Sequence, residues 1–260
     1  MAGRSHYSYL YAIGDEMLRY ASLTNPGNRE RNEDSIVISE HGDMSLFVVC
    51  DGLGGHGSGD VASSLVCEVM ENQFNLCYDP VNFLGEAFSA AQDVLLGEQI
   101  AQHAKNKMKT TCVALLADNN TARIGHIGDS RLYIFKHNKV KRRTLDHSIP
   151  QMLVLSRRLK ESQIRNHPER SMVMRVMGVE WESGPQYELM EPLPLCKFQA
   201  FLLCTDGFWE LIEECDMEKC LKEASGPQEW LDKMVDIVKS HGIGKNMDNY
   251  SAIAIWNEVG

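Results

Sequence analysis

Apolar residues in this chain gather into short runs set between turn residues, and two periods can be read from them. Runs rich in Val, Ile, Leu and aromatics predict strands at 35–39, 45–50, 111–117, 121–127, 132–136, 199–204 and 251–256. Apolar positions recurring at helical spacing predict helices at 61–75, 81–105 and 228–241. Asp60, with Gly59 beside it, stands just ahead of the first helix and is its expected N-cap.

The order of these elements selects the fold class. Strands come first, then two consecutive helices, then strands at hairpin spacing. A parallel doubly wound sheet would instead alternate strand and helix. The pattern therefore predicts an α+β chain, with antiparallel sheets and helices packed outside them. The stretch at about 147–182 is polar, in places basic (S-R-R-L-K, R-N-H-P-E-R), and weak in strand character. It reads equally as a surface insertion beside the core or as an exposed helix and loop.

Composition narrows this picture. The 260 residues, 43% of them hydrophobic, suffice for one sizeable core. No repeat, low-complexity tract or linker divides them, so one domain over 1–260 is expected, with a flap at about 147–182. A formal charge of −10 disfavours nucleic acid and anionic membrane as partners. The first 20 residues carry no apolar run behind a basic start, and no apolar stretch approaches the length of a spanning helix. A cytoplasmic monomer is expected. None of the eight cysteines forms a C-x-x-C pair, and several lie in apolar runs, so small buried thiols are expected rather than disulfides.

The chemistry is carried by acids at strand ends. L-F-V-V-C runs into Asp51-Gly52, and F-L-L-C-T runs into Asp206-Gly207. R-I-G-H-I-G runs into Asp129, Asp248 opens the run ending at Trp256, and Glu33-Asp34 opens S-I-V-I-S. A carboxylate at the end of a buried strand is costly unless a cation meets it. Several such groups converging call for an oxygen-seeking divalent ion such as Mg²⁺ or Mn²⁺. Any single Asp-Gly is equally a plain turn, and it is the set that points to metal. Arg29 stands close before Glu33-Asp34 and offers the planar donor fork that suits a phosphate, although a surface arginine would look the same.

Three rival chemistries are weighed against this. Residues 52–57 satisfy G-x-G-x-x-G between a strand and a helix, with Asp79 further on, as in a dinucleotide site. Asp51 would there put negative charge beside a pyrophosphate, and the later strands lack crossover helices. A thiol phosphatase needs Cys and Arg with five residues between them, and a zincin needs H-E-x-x-H; the chain has neither.

In order along the chain stand R-E-R-N-E-D-S (29–35), V-V-C-D-G-L-G-G-H-G-S-G-D-V-A-S (48–63), T-T-C-V-A-L-L (110–116) and H-I-G-D-S-R-L-Y (126–133), then D-H-S (146–148), H-P-E-R-S (167–171), L-L-C-T-D-G-F-W-E (202–210) and D-N-Y-S (248–251). This series resembles the metal-dependent protein serine/threonine phosphatases of type 2C, in their compact bacterial form. The resemblance implies a four-layer α-β-β-α sandwich, with two central antiparallel sheets flanked by helices and the metal centre at one end. It implies two Mn²⁺ or Mg²⁺ ions and a third, weaker one, with a metal-bridging water or hydroxide attacking phosphorus and no covalent intermediate. By position, Asp51 would bridge both ions, the Gly52 carbonyl would bind one, and Asp206 and Asp248 would ligate the other. Glu33 and Asp34 would hold waters or orient ligands, and Arg29 would clamp the substrate phosphate. Asp129, with Asp206 or Glu210, would take the third ion. Asp60 replaces a frequent Glu and would cap its helix. Leu53 stands where many eukaryotic members carry a histidine acid; nearby His56 is either an acid or a turn histidine. The implied substrate is a phosphorylated protein, a serine/threonine kinase or one of its targets. A regulatory domain keeping the fold without catalysis is the alternative, and the retained Asp51, Asp206 and Asp248 favour activity.

Overall fold

The computed structural model describes residues 18–53, 58–77, 79–105 and 107–257. In chain order it has β1 (Leu18–Asn25), β2 (Asp34–His41), β3 (Met44–Leu53), α1 (Gly59–Asn75) and α2 (Phe83–Ala101). Next come β4 (Lys109–Thr110), β5 (Cys112–Ala117), β6 (Thr121–Ile127), β7 (Arg131–Lys136), β8 (Lys139–Arg143) and α3 (Ile149–Leu155). After these follow β9 (Glu188–Leu189), β10 (Leu193–Pro194), β11 (Gln199–Cys204), α4 (Asp206–Trp209), α5 (Glu214–Glu223), α6 (Pro227–Gly242) and β12 (Tyr250–Asn257).

Two sheets form, and every pairing between these strands is antiparallel. One has the order β1-β12-β11-β7-β8; the other has the order β10-β6-β5-β3-β2, with β9 also on β6 and β4 on the end of β3. This removes the parallel sheet that a dinucleotide fold needs. The central strands are apolar on both faces because both faces are covered. In β3, Phe47 and Val49 pack into the layer between the sheets, against Phe201, Leu203, Ile253 and Ile255. Their neighbours Leu46, Val48 and Cys50 turn the other way, onto Ala62, Val66, Met70 and Phe88 of α1 and α2. A third core joins β7, β11 and β12 to Met217, Leu221, Trp230, Met234 and Val238 of α5 and α6. Helix, sheet, sheet and helix are thus stacked around three apolar layers, the expected sandwich.

Boundaries moved where local chemistry overrode periodicity. Asp60 is not the N-cap: the helix begins at Gly59, with Ser58 at the cap position, and Asp60 sits in the first turn. A side chain at Gly59 would come within 2.8 Å of the Gly52 carbonyl, so glycine lets the helix start that close to β3. Asp60 instead places its charge at the favourable end of the helix dipole. The second helix is shorter than 81–105. Asp79 holds the turn before it through Val81 N–H and Asn82 Nδ2, and the backbone leaves helix by His103, whose φ is +51°. All eight cysteines are free. Among the described residues, no helix is long and apolar enough to cross a membrane.

Candidate active site

The acids meet because the ends of the two sheets that carry them are stitched together. Asp34 opens β2 directly opposite Asp51 near the end of β3. From the other sheet, Thr205 Oγ1 and Ser251 Oγ donate to Asp34 Oδ2 at 3.0 and 2.8 Å. Thr205 ends the β11 run immediately before Asp206, and Ser251 lies in β12 just past Asp248. One carboxylate therefore fixes the spacing of three other acids. Asn249 adds a second stitch: its Oδ1 accepts from Glu33 N–H at 2.8 Å, and its Nδ2 donates to the Pro26 and Arg31 carbonyls. Thr111 supplies a third, accepting from Asp51 N–H at 3.0 Å while its hydroxyl meets Ser130 Oγ at 2.7 Å. That bond fixes the β6–β7 turn carrying Asp129.

The result is a cavity of about 570 Å³ whose wall includes Arg29, Glu33, Asp51, Gly52, Asp129, Asp206 and Asp248. Of the residues expected from sequence, Asp34 stands behind the wall, buried, and Glu210 is not on it either. Asp51 and Asp206 are near enough for each carboxylate to shift the other's pKa. The two glycines make the convergence possible. A Cβ on Gly52 would lie 2.3 Å from the Gly59 carbonyl oxygen, and one on Gly207 would lie 2.1 Å from the Asn249 carbonyl oxygen.

Electrostatics shows what the cluster lacks. Burial, then the carboxylates of Asp206, Asp34 and Asp129, push Asp51 well above the usual carboxylate range. Burial, with Glu210 and Asp248, pushes Asp206 up to about 7. Burial dominates at Asp34, pushed up to about 8, and raises Asp129 as well. Two like charges about 4 Å apart repel by about 4 kcal/mol at an effective dielectric of about 20. Such a set does not ionise together at neutral pH without added positive charge. Asp34 Oδ1, buried with no hydrogen-bond partner, marks the same deficit. The donors are oxygen alone, the set a hard divalent cation takes, so these residues fit Mg²⁺ or Mn²⁺.

Arg29 is at the rim. Its Nη2 donates to Asp248 Oδ2 at 2.8 Å, and both side chains are about half exposed (48% and 49%). Glu210 is tied to Arg170 at 2.9 Å rather than lining the cavity. Leu53 is on the wall, and His56 lies outside the described residues. From the 147–182 segment, Ser171 and Val173 line the cavity. The segment is anchored by Ile164 and Met177, each buried in a different core layer.

Sequence reasoning gave no part to Thr111, Ser130, Thr205, Asn249 or Ser251, which hold the acids in place. All five fall inside the quoted motifs, and Ser130, Thr205 and Asn249 each stand beside a strand-end acid, which was the available signal for those three. It also missed what lies beneath. Trp209 Nε1 donates to the Asp129 carbonyl at 3.0 Å, and the Arg131 guanidinium lies 3.4 Å over the Trp209 ring. Arg131 in turn grips Asp146 through two bonds of 2.8 and 2.7 Å.

Comparison with known proteins fits this geometry. The family model for protein phosphatase 2C matches residues 26–249. The chain belongs to the protein phosphatase 2C family. Its expected family and sandwich are therefore borne out, and so is its reading as a protein phosphatase. It is 28% identical to the serine/threonine phosphatase stp of Listeria welshimeri over 225 residues, covering 82% of this chain and 86% of the relative. The Mycobacterium tuberculosis serine/threonine phosphatase PstP superposes with a TM-score of 0.80 at 27% identity, covering 93% of this chain and 99% of that one. PppA, a key regulatory component of the T6SS in Pseudomonas aeruginosa, gives 0.75 at 26% identity, with 92% and 96% covered.

Proposed function

We propose that this chain is an active, metal-dependent phosphatase for phosphoserine and phosphothreonine in proteins. The observation that carries the reading is that Asp51, Asp129, Asp206 and Asp248 share one cavity with Arg29, while the buried guanidinium nearby, Arg131, is already committed to Asp146. Asp51, Asp206, Asp248 and the Gly52 carbonyl would hold two divalent cations, Mn²⁺ or Mg²⁺, and Asp129 would help hold a third. When bound, such ions supply a water nucleophile of lowered pKa and offset charge on the attacking and leaving oxygens.

The chain's own groups do the rest. Thr205 and Ser251 fix the Asp34 carboxylate, so the acids need little reorganisation around their ligands. Glu33 and Asp34 orient that shell. Arg29, already poised at the rim, turns its remaining donors to the phosphate oxygens. Leu53 offers no proton to the leaving alkoxide. The 147–182 segment acts as the flap over which the substrate chain passes. The substrates are products of a serine/threonine kinase, and the enzyme works as a cytoplasmic monomer.

The test is hydrolysis of p-nitrophenyl phosphate and a phosphothreonine peptide with Mn²⁺, with Mg²⁺ and with EDTA. Turnover is expected with metal and lost in EDTA. Turnover undiminished in EDTA overturns the metal chemistry; none with metal points to a regulatory domain that keeps the fold.

A further inference from the structure

The D-H-S motif contains a histidine that the reaction above does not use. His147 stacks on His126 of β6, ring centroids 4.7 Å apart and planes 21° from parallel. Glu188 of β9 is the residue paired with His126 across the sheet. A ring nitrogen from each histidine and a Glu188 carboxylate oxygen lie within 4.8 Å of one another.

Hydrogen bonding sets the tautomers. His126 Nε2 is 2.8 Å from the Leu145 carbonyl, which only accepts, so Nε2 carries the proton and Nδ1 a lone pair. That Nδ1 is buried, in a residue 2% exposed, and has no hydrogen-bond partner among the described residues. Leaving such an acceptor unmet forfeits the hydrogen bond it had with water, a cost that a cation would remove. His147 Nδ1 accepts from Gly128 N–H, so its Nε2 carries the proton and faces Glu188 Oε1 at 3.3 Å. Burial keeps both rings neutral at pH 7, the state a metal ligand needs.

We propose that His126 Nδ1, His147 Nε2 and Glu188 form a second cation site, for a borderline-soft divalent ion such as Zn²⁺, separate from the all-oxygen acid cluster. Two imidazoles and a carboxylate are a zinc donor set with one position left open. The Leu145 carbonyl on His126 Nε2 is the outer partner such a ligand usually has. Access runs from a cavity of about 700 Å³ that has both His126 and Glu188 on its wall. Arg175, 3.2 Å from Glu188 Oε1, gives up that contact, and its own side chain is 45% exposed and free to swing.

Binding has a structural consequence. His147 Nδ1 now accepts from Gly128 N–H at 3.2 Å. Ligation through Nε2 moves the ring proton to Nδ1, where it faces that N–H, so the bond is lost. Gly128 adjoins Asp129, and the site is therefore wired to the acid cluster through one peptide.

The experiment is titration of the full chain with Zn²⁺ against a chromophoric chelator, in saturating Mg²⁺ so that the oxygen sites are filled. The wild type is expected to take up one Zn²⁺. Glu188→Gln, at an exposed position, and His126→Asn are each expected to weaken it by more than about tenfold, the loss already typical of an outer-shell partner. Asp51→Asn is expected to keep it. Zn²⁺ uptake that is absent in the wild type, unchanged in Glu188→Gln with an unaltered Tm, or abolished by Asp51→Asn overturns the proposal. The first two outcomes leave the phosphatase reading standing; the third places zinc in the acid cluster itself.

Discussion

Two groups of acids lie within one end of this molecule, and they are resolved in opposite ways. Asp146 is buried, which alone would raise its pKa, yet Arg131 and Arg143 outweigh burial and hold it below the usual range. Its charge is answered inside the chain, by a guanidinium whose other face lies on Trp209. Asp51, Asp129 and Asp206 have no such answer and are all raised. The same residue type is a structural tie in one case and an unmet demand in the other. The unmet demand is where an exogenous cation belongs.

The sharpest break in that contrast comes from deleting one acid from each group. Asp51→Ala or Asp206→Ala is expected to lower kcat by about a thousandfold or more, about 4 kcal/mol of transition-state stabilisation. In EDTA, the same variants should melt no lower than wild type, because a repelled carboxylate has gone. Retained turnover in either variant removes that residue from the metal set. Next in size, Asp146→Ala should lose about 3 kcal/mol of stability by taking from the buried Arg131 its two-bond partner and leaving it only Tyr133 and a longer contact with Glu214. Urea denaturation checks this, and a loss under about 1 kcal/mol would make the two acid groups alike.

How far this was legible follows from the same physics. Asp51 and Asp206 announce themselves because a strand buried on both faces reads as an unbroken apolar run, so an acid at its end is conspicuous. The sheet edges give no such signal. β1 carries Ser22 and Thr24, and β8 is K-V-K-R-R, so neither reads as a strand until a neighbour pairs with it. Helix α5 buries only Met217, Cys220 and Leu221; they stand at helical spacing, but ten residues are too short a window for the period to stand out. The Arg131–Asp146 tie was illegible for another reason. Its partners lie 15 residues apart, and only the β7–β8 hairpin brings them together.

A pH titration sharpens the contrast without mutation. Asp34 and Asp206 have folded-state values near 8 and 7, above the ordinary 3.8. Their contribution to stability is full below the ordinary value and is lost as pH rises through 7–8. Asp146 runs the other way, contributing above the ordinary value and losing this as pH falls below it. In EDTA, Tm should therefore be highest at mildly acidic pH and fall toward pH 8–9. Mn²⁺ should flatten the alkaline side by replacing the protons as counter-charge. An EDTA-treated protein that grows more stable from about pH 6 to 9 would contradict the raised values.

Arg29–Asp248 is the intermediate case, and it predicts the smallest effect. The pair is half exposed, so solvent screens it, and its stability contribution is about 0.2–1 kcal/mol. Arg29→Ala should leave Tm nearly unchanged. If Arg29 serves the substrate, the variant should raise KM by about tenfold with kcat little altered, the signature of lost uniform binding. Arg29→Lys keeps the charge but not the planar fork, and should recover only part of KM. Steady-state kinetics on a phosphothreonine peptide separates the two roles. A normal KM with a lowered kcat would mean that Arg29 acts by holding Asp248, and would move it from the phosphate's side of the rim to the acid cluster's.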